Sequence, residues 1–414
     1  MLSRVRDPAT RTIYAAALLV GSAYGVSIAL TALRLNAIGY GKPAIGSLAA
    51  VFAGGIVLAS IPMAGLIQRY SAKNVLVASL VGYAACVGAF PFLESPAAIA
   101  GARFADGVTA AATWICFETV LLRRAEAHQK AYVMSLYAIA VALGYLLGPL
   151  LAKGIVAFAP MHTAFLASSA LAICGAVLVS LLLDRAAAER PIAIPSGQQA
   201  PAPMPALALL PRIRTSLFGT FAYGYFQASV VLFLPLYLIE QKGVAESQTI
   251  LMPAFFAAGM LLFSNYAGKV GDRIGHLLVM RVLGTIGTVM IAAFVWLDSW
   301  PLMCGAIFVA GATLAAISPV SLALQGVVVD PGSYGRANSI YNVFYAAGML
   351  LGPPVSSLFF ARLGGAAMLE HLAVLWGGFV VFSIVFWRDD PAAARPAPLQ
   401  DALTATAPPA SSIR

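Results

Sequence analysis

The chain has 414 residues, of which 61% are apolar and only 10% are charged, and its mean hydropathy is +0.88. Soluble domains carry about 25% charged residues, so this composition excludes a soluble enzyme, a soluble nucleic-acid-binding protein and a disordered scaffold. One membrane-spanning helix needs about 20 apolar residues, and the apolar content of the chain therefore predicts about a dozen spans.

Apolar runs long enough to cross a bilayer recur along the whole chain. We predict an all-α membrane protein with spans at residues 12–34, 43–67, 74–93, 96–121, 131–153, 160–183, 213–239, 247–267, 277–297, 300–328, 337–361 and 364–387. The first run is longer than the apolar part of a signal peptide, and it has no small-x-small cleavage site. We expect it to be retained as the first span.

The basic residues are unevenly distributed about these spans. Of the 25 lysines and arginines, 19 lie on the side that holds both termini, four lie on the other side, and Arg34 and Arg103 lie inside spans. Such a bias marks the cytoplasmic side of a membrane. We therefore predict a multi-pass protein of the bacterial inner membrane with both termini in the cytoplasm. The net charge of +9 then reflects topology and implies no nucleic-acid partner.

The sequence repeats itself after 204 residues: Gly144–Pro149 aligns with Gly348–Pro353, and Gly107 aligns with Gly311. The repeat predicts two parallel six-helix halves that move around a central site, as in transporters. We place the first half at residues 1–183 and the second at 212–388. Between them we predict a Pro-, Ala- and Gln-rich cytoplasmic linker at 184–211, and after them a disordered cytoplasmic tail at 389–414.

The sequence offers no chemistry beyond transport. Its four cysteines lie in spans without metal-ligand spacing, so we expect no metal and no cofactor. It contains no GxxxxGK[ST] loop for ATP and no catalytic cluster such as H-E-x-x-H. We therefore expect neither an ATP-driven pump nor an enzyme.

The segment Gly268–His276, between predicted spans eight and nine, reads GKVGDRIGH. It resembles the G-x-L-x-D-R-x-G-R loop of the major facilitator superfamily (MFS), and the resemblance extends over residues 12–387. It implies the MFS fold, transport by alternating access, and a cytoplasmic latch formed by Gly268, Asp272, Arg273 and Gly275, with Arg69 in the first-half copy. An ordinary charged turn is the alternative.

The first-half copy of this loop departs from the family pattern. Gln68 stands where the family has its aspartate, and Ser71 stands where it has glycine. Any latch in the first half therefore lacks its negative charge.

The fourth span contains Arg103-Phe-Ala-Asp106-Gly107, which resembles an R-x-x-q-G motif of proton-coupled facilitators. On a helix, Arg103, Trp114 and Glu118 share one face and Asp106 flanks it. Two interpretations remain open. Arg103 and Asp106 form a structural ion pair, or one acid, Asp106 or Glu118, carries a coupling proton. For Glu118, an interfacial salt bridge with Arg123 or Arg124 is a further alternative.

Small residues and proline recur in the fifth and eleventh spans as G-x-x-x-G-P. The first copy resembles part of an antiporter motif, but Leu150 and Leu151 break its end. Because the pattern occurs in both halves, we favour close helix packing. The predicted packing residues are Gly107, Gly144, Gly148, Pro149, Gly348, Gly352 and Pro353.

Polar and aromatic residues within spans are candidates for a substrate cavity, although such residues also connect helices to each other. We select Arg34, Tyr24, Trp114, Tyr137, Tyr223, Gln227, Tyr341, Asn342 and Tyr345. Arg34 lies near a span end, where snorkelling to the interface is the alternative.

Together these features predict a secondary active transporter of a small organic solute. Both motif resemblances favour proton-coupled efflux. Its partners would be the solute, protons and the lipid bilayer, and we expect a monomer. Two alternatives remain, namely proton-coupled uptake of an anionic metabolite bound by Arg34 and Arg103, and a non-transporting membrane sensor or scaffold.

Overall fold

The computed structural model describes residues 7–124, 130–184, 204–330 and 333–394. Every regular element in these ranges is helical, and twelve helices are long and apolar enough to cross a membrane. The predicted number of spans and the all-α class are thereby confirmed. In chain order the twelve helices are α1 Pro8–Ala37, α2 Lys42–Ser60, α3 Ala72–Ala89, α4 Pro96–Arg124, α5 Lys130–Phe158, α6 Met161–Leu182, α7 Ala206–Lys242, α8 Met252–Ile274, α9 His276–Phe294, α10 Trp300–Val328, α11 Tyr334–Leu363 and α12 Gly365–Val385.

The second predicted span extends too far. Helix α2 ends at Ser60, and after Pro62 the chain starts a separate short helix, Met63–Tyr70. Proline cannot donate the backbone hydrogen bond that a continuous helix needs. The first-half copy of the latch loop therefore begins on this short helix.

Helix α7 begins at Ala206, so the last six residues of the predicted linker are helical. The reason is tertiary packing, since Leu209 and Ile213 are buried in a cluster with Tyr341 of α11. The rest of the predicted linker, except Asp184, Met204 and Pro205, lies outside the described residues. So does the predicted tail beyond residue 394.

The start of α1 is fixed by Asp7. Its carboxylate accepts a hydrogen bond from the backbone N–H of Thr10 at 3.0 Å, and Pro8 occupies the first helical turn. Arg124, at the end of α4, donates two hydrogen bonds to the same carboxylate, at 2.8 and 2.5 Å. Burial raises the pKa of Asp7, but the hydrogen bonds from Arg124 and Thr10 outweigh it and hold the pKa below its ordinary value.

The two halves use the same helix pairs. Helix α1 packs along α5 as α7 packs along α11, and α2 packs along α4 as α8 packs along α10. Between the halves, α2 meets α11 and α5 meets α8. These pairings are those that a 204-residue repeat predicts.

Close helix approach also repeats. A methyl group on Gly107 would lie 2.0 Å from the carbonyl oxygen of Phe52 in α2. A methyl group on Gly311, at the equivalent position, would lie 2.0 Å from the carbonyl oxygen of Phe256 in α8. Both contacts require glycine, because a real carbon atom cannot approach an oxygen so closely.

The predicted packing residues of α5 and α11 lie at helix contacts. Gly144 and Gly148 meet Gly21 and Gly25 of α1, whereas Gly348 and Gly352 meet the backbone of Phe221 and Tyr225 in α7. Pro149 and Pro353 lie inside their helices. These are the contacts that a packing role requires.

The bundle has two ends. We call the end where α1 begins and α12 finishes the terminal face. We call the opposite end, where α1 and α7 finish at Ala37 and Lys242, the distal face.

Candidate functional site: a charged and aromatic wall on helix α4

Arg103 and Asp106 form the predicted ion pair one turn apart on α4. The guanidinium donates to the carboxylate at 2.5 Å, and the other carboxylate oxygen accepts a 3.5 Å hydrogen bond from the hydroxyl of Tyr24 in α1. The guanidinium also lies 4.4 Å from the ring centroid of Phe52. The pair therefore connects α4 to α1 and α2.

A small cavity adjoins this pair inside the first half. Its lining includes Ser27, Thr31 and Cys86 together with Arg103 and Asp106. A free volume of about 10 Å³ is about what one water molecule occupies. The site thus provides polar groups and room for a hydrated carboxylate.

An aromatic chain leads from the ion pair toward the terminal face. The rings of Tyr83 and Tyr24 stack at 4.1 Å, and Tyr24 lies 5.6 Å from Trp114. Phe117 follows at 6.2 Å from Trp114, and Tyr137 of α5 at 6.1 Å from Phe117. Three of the predicted cavity residues, Tyr24, Trp114 and Tyr137, therefore belong to one continuous wall.

Glu118 lies at the terminal end of this wall. Its side chain is exposed and lies within electrostatic range of Tyr137. It makes no hydrogen bond or ion pair with any residue in the described ranges, and Arg124 is bound to Asp7 instead. The alternative for Glu118, an interfacial salt bridge, is therefore not formed with Arg124.

The second half contributes a neutral polar wall. The hydroxyl of Tyr345 donates to the side-chain oxygen of Gln227 at 2.6 Å, and the rings of Tyr345 and Tyr223 lie 6.0 Å apart. Tyr341 is buried, and its hydroxyl bonds Ser318 and Ser321 of α10. Asn342 is exposed. Tyr341 therefore joins α11 to α10, and the hydrogen bond between Tyr345 and Gln227 joins α11 to α7.

Tyr145 of α5 was not among the predicted site residues. It lies within electrostatic range of Asp106 in its own half and of Tyr223 and Tyr345 in the other half. It therefore stands where the two walls meet. A tyrosine in the middle of an apolar run is the only signal that the sequence gives for it.

The halves touch each other at the distal face. Lys42 at the start of α2 forms a 2.5 Å ion pair with Glu240 of α7 and lies 5.4 Å from the ring centroid of Phe360 in α11. A methyl group on Gly46 would meet the backbone oxygen of Pro353 at 2.6 Å. The distal face is thus closed by contacts across the two halves.

The terminal ends of the helices at this interface are more open. A methyl group on Gly54 of α2 or on Gly268 of α8 would meet no atom within 4 Å, apart from its own helix backbone and chain neighbours. Leu58 and Ile61 are exposed, with 58% and 76% of their surface uncovered. At these positions α2 and α8 are therefore not closely packed against another helix, in contrast to the distal face.

The predicted latch residues lie on the terminal face. Asp272 is largely exposed and bonds His276 at 3.1 Å within its own loop, and Arg273 is exposed. Gly275 has a φ of +103°, and beside it the carboxylate of Asp390 accepts a hydrogen bond from the backbone N–H of Leu277. Asp390 thus caps α9, and in this conformation the side chain of Asp272 bonds the first residue of that helix.

The first-half copy of the latch is built differently. Ser71 adopts a φ of +73°, and its hydroxyl accepts a 3.3 Å hydrogen bond from the backbone N–H of Asn74 in α3. Arg69 is exposed, with its guanidinium 5.2 Å from the ring centroid of Tyr70. Ser71 therefore takes the place of Gly275 of the second half, and its hydroxyl also supplies the helix cap that Asp390 supplies there.

Arg34 lies at the distal end of α1, away from the two walls. Its guanidinium donates to the backbone oxygen of Pro91 at 2.7 Å. This contact joins α1 to the end of α3. It makes Arg34 the least accessible of the predicted cavity residues to a solute that enters from the terminal face.

His371 and the side chains around it form a cluster in the second half that was not predicted as part of the site. The Nε2 atom of His371 in α12 lies 3.1 Å from Ser356 of α11 and 3.3 Å from the hydroxyl of Tyr225 in α7. Phe359 stacks on the imidazole at 4.5 Å. The structure thus places His371 between three helices.

The chain is similar to known proteins that have this architecture. The family model of the Major Facilitator Superfamily matches residues 13–286 and 216–414. The protein named "Uncharacterized MFS-type transporter YcaD" of Salmonella enteritidis PT4 is 24% identical over 299 residues, which cover 70% of each chain. A protein named "Uncharacterized MFS-type transporter" of Yersinia pestis is 26% identical over 267 residues, 63% of this chain and 65% of that one.

Solved structures show the same fold at low sequence identity. A bacterial homolog to the human lysosomal transporter Spinster, in an inward-facing and occupied conformation, matches with a TM-score of 0.75 at 14% identity, covering 96% of this chain and 99% of that chain. The nucleoside transporter NupG matches with a TM-score of 0.73 at 14% identity, covering 92% and 98%.

Proposed function

The chain belongs to the Major Facilitator Superfamily, and we propose that it exports a small organic solute in exchange for protons by alternating access. Membership makes it a multi-pass membrane transporter of a small molecule and not an enzyme. Two parts of the proposal, the exchange with protons and the export direction, go beyond what family membership gives. They rest on the residues of α4 and on the resemblance of two motifs to those of antiporters.

The observation that carries proton coupling is the Arg103–Asp106 pair, which lies within the first eleven residues of α4 and is largely shielded from solvent. Ionisable groups inside a span are costly and usually functional. A proton on Asp106 would remove the counter-charge of Arg103. Leaving one member of a buried pair uncompensated costs about 3–5 kcal/mol, enough to change a conformational equilibrium by about two to three and a half orders of magnitude.

Protonation would therefore favour a second conformation in which Arg103 finds another partner. The pair connects α4 with Tyr24 of α1 and Phe52 of α2, so its rupture acts on helices that line the interface between the halves. The distal contact between Lys42 and Glu240 would open in that second conformation. In this way, protonation of Asp106 would control the side of the membrane from which the solute reaches its site.

The bias of basic residues supports a cytoplasmic terminal face in a bacterial inner membrane. With that orientation, the contacts that close the distal face would lie on the periplasmic side, and the solute would enter from the cytoplasm. Because both walls come from one chain, the monomer is the proposed transport unit.

Proteoliposomes test this proposal. The purified protein is reconstituted, a pH gradient is imposed, and uptake of organic cations, anions and neutral metabolites is measured together with internal pH. Opposite movement of proton and solute supports exchange. Movement in the same direction, or transport insensitive to the gradient, contradicts it.

Two variants identify the proton carrier. Asp106→Asn is expected to abolish transport driven by the pH gradient while solute counterflow persists. If Glu118→Gln alone gives that phenotype, the carrier is Glu118 and coupling stands. If both variants retain wild-type gradient-driven transport, the coupling proposal is wrong.

Uptake of an anionic metabolite has less support. Arg34 is bound to the backbone of Pro91, and Arg103 is bound to Asp106. The charge of Arg103 is therefore already neutralised in this conformation, and Arg34 lies at the distal end, away from the two walls.

A further inference from the structure

Of the two positive charges predicted for the cavity, one is paired within the protein and the other lies away from the two walls. The guanidinium of Arg103 is paired with Asp106, and that of Arg34 donates to a backbone oxygen at the distal end. The opposite wall presents the neutral side chains of Tyr345, Gln227 and Asn342. The walls therefore offer little electrostatic attraction to an anion.

The negative charge of Glu118 has no such compensation. The side chain is exposed, and no ion pair or hydrogen bond joins it to any residue of the described ranges. A carboxylate directed into lipid from the inside of a span would cost about 2.5–3.5 kcal/mol. Glu118 shares its helix face with Trp114, which lies against Tyr24 of α1. We therefore assign Glu118 to the side of the first-half wall that faces the solute path, where a cation from solution can approach it.

Aromatic rings accompany this carboxylate. Trp114, one helical turn before Glu118, is only half-buried, and Tyr137 lies within electrostatic range of the carboxylate. Phe117 connects the two rings, at 6.2 Å from Trp114 and 6.1 Å from Tyr137. Tryptophan is the best side chain for binding a cation over its ring face, and the attraction grows as water is removed.

From this juxtaposition we propose that the transported solute is an amphipathic organic cation, whose charged group pairs with Glu118 and whose apolar body packs on Trp114. The transport part of this inference rests on the proposed function. The binding part requires no proton coupling, so the two can be tested separately.

Two probes of matched size and opposite charge provide the test. Tetraphenylphosphonium is the cation and tetraphenylborate is the anion, and binding of each to the purified full-length protein in detergent is measured by equilibrium dialysis. We expect the cation to bind at least about tenfold more tightly, the ratio that about 1.4 kcal/mol gives. Equal or tighter binding of the anion would overturn the proposal.

Variants locate the binding site. Glu118→Gln is expected to weaken cation binding about tenfold or more, and Trp114→Ala is expected to weaken it as well. Glu94→Gln, in the distal loop before α4, is the matched control and should bind like the wild type. The unfolding temperature of each variant is measured in parallel, so that lost binding is distinguished from lost folding. Unchanged cation affinity in a folded Glu118→Gln protein would refute the assignment.

The outcomes separate this inference from the proposed function. Cation binding that depends on Glu118, without any response to a pH gradient, would contradict proton coupling only. Proton-coupled transport of an anionic solute, without binding of the cation probe, would contradict this inference only.

Discussion

Helix α4 is held against α2 by a contact that tolerates no side chain. Replacing Gly107 by alanine would place a methyl carbon 2.0 Å from the carbonyl oxygen of Phe52, and the same replacement at Gly311 would place one 2.0 Å from that of Phe256. Ordinary contacts between such atoms lie above about 3.3 Å. The two helices must therefore separate by more than about 1 Å, and a backbone oxygen inside a helix cannot move aside alone.

The expected cost can be estimated from overpacking, which destabilises by about 1–3 kcal/mol and occasionally more. We place both variants at the upper end of this range because the obstructing atom belongs to the backbone. The chain offers matched controls in the same two helices. Gly101 and Gly305 have no neighbouring atom within 4 Å of the added methyl, and alanine there removes a glycine penalty of about 0.8–1 kcal/mol.

The assay is thermal unfolding of the purified protein in detergent, followed by intrinsic fluorescence and by size-exclusion chromatography after heating. Gly107→Ala and Gly311→Ala should unfold at clearly lower temperatures than the wild type. Gly101→Ala and Gly305→Ala should unfold at the same temperature or a higher one. If Gly107→Ala is as stable as Gly101→Ala, the close approach of α2 and α4 is not what the geometry indicates.

Three further predictions concern the terminal face. Asp272→Asn should reduce uptake in vesicles far more than Gln68→Ala, because only the second-half latch carries an acid; equal effects would contradict this asymmetry. The depressed pKa of Asp7 implies stability that is present above its ordinary pKa of 3.8 and is lost as pH falls through the lower folded value. Asp7→Asn should therefore lower the unfolding temperature at neutral pH, and the difference from wild type should shrink in acid. Ser71→Gly should raise the unfolding temperature, because relief of an unfavourable φ of +73°, worth about 1–3 kcal/mol, exceeds the few tenths lost from a serine cap; Gly275→Ser should lower it.

The sequence predicts those features that depend on local pattern. Hydropathy and length identify all twelve spans, and the spacing of Arg103 and Asp106 predicts an ion pair because residues three apart are neighbours on a helix. The approach of α2 to α4 is implied by Gly107 and its repeat at Gly311. Each of these can be read within one helix or from the fixed offset between the halves.

Contacts between distant helices were not predictable in this way. Lys42 and Glu240 are 198 residues apart, and nothing near either residue indicates the other. Tyr145 and His371 look like isolated polar residues in apolar runs, and only the packing of their helices gives them partners. The early start of α7 is likewise decided by the burial of Leu209 against α11, which overrides the Pro-rich composition around it.

The two halves share their packing but not their charges. At the positions equivalent to Arg103, Asp106 and Glu118 the second half has Ile307, Ala310 and Leu322, although the close contacts of Gly107 and Gly311 are the same in both halves. A symmetric scaffold has therefore been kept while one helix of one half holds the ionisable groups of the wall. If the first half binds both the proton and the charged group of the solute, the second half needs to supply only neutral side chains that cover the solute when the two halves close. The double variant Glu118→Leu with Leu322→Glu transfers the acid from the first half to the equivalent position of the second. This variant should still fold, but it should lose proton coupling. The reason is that the new carboxylate would lie opposite Arg103 and Asp106 and no longer on their helix.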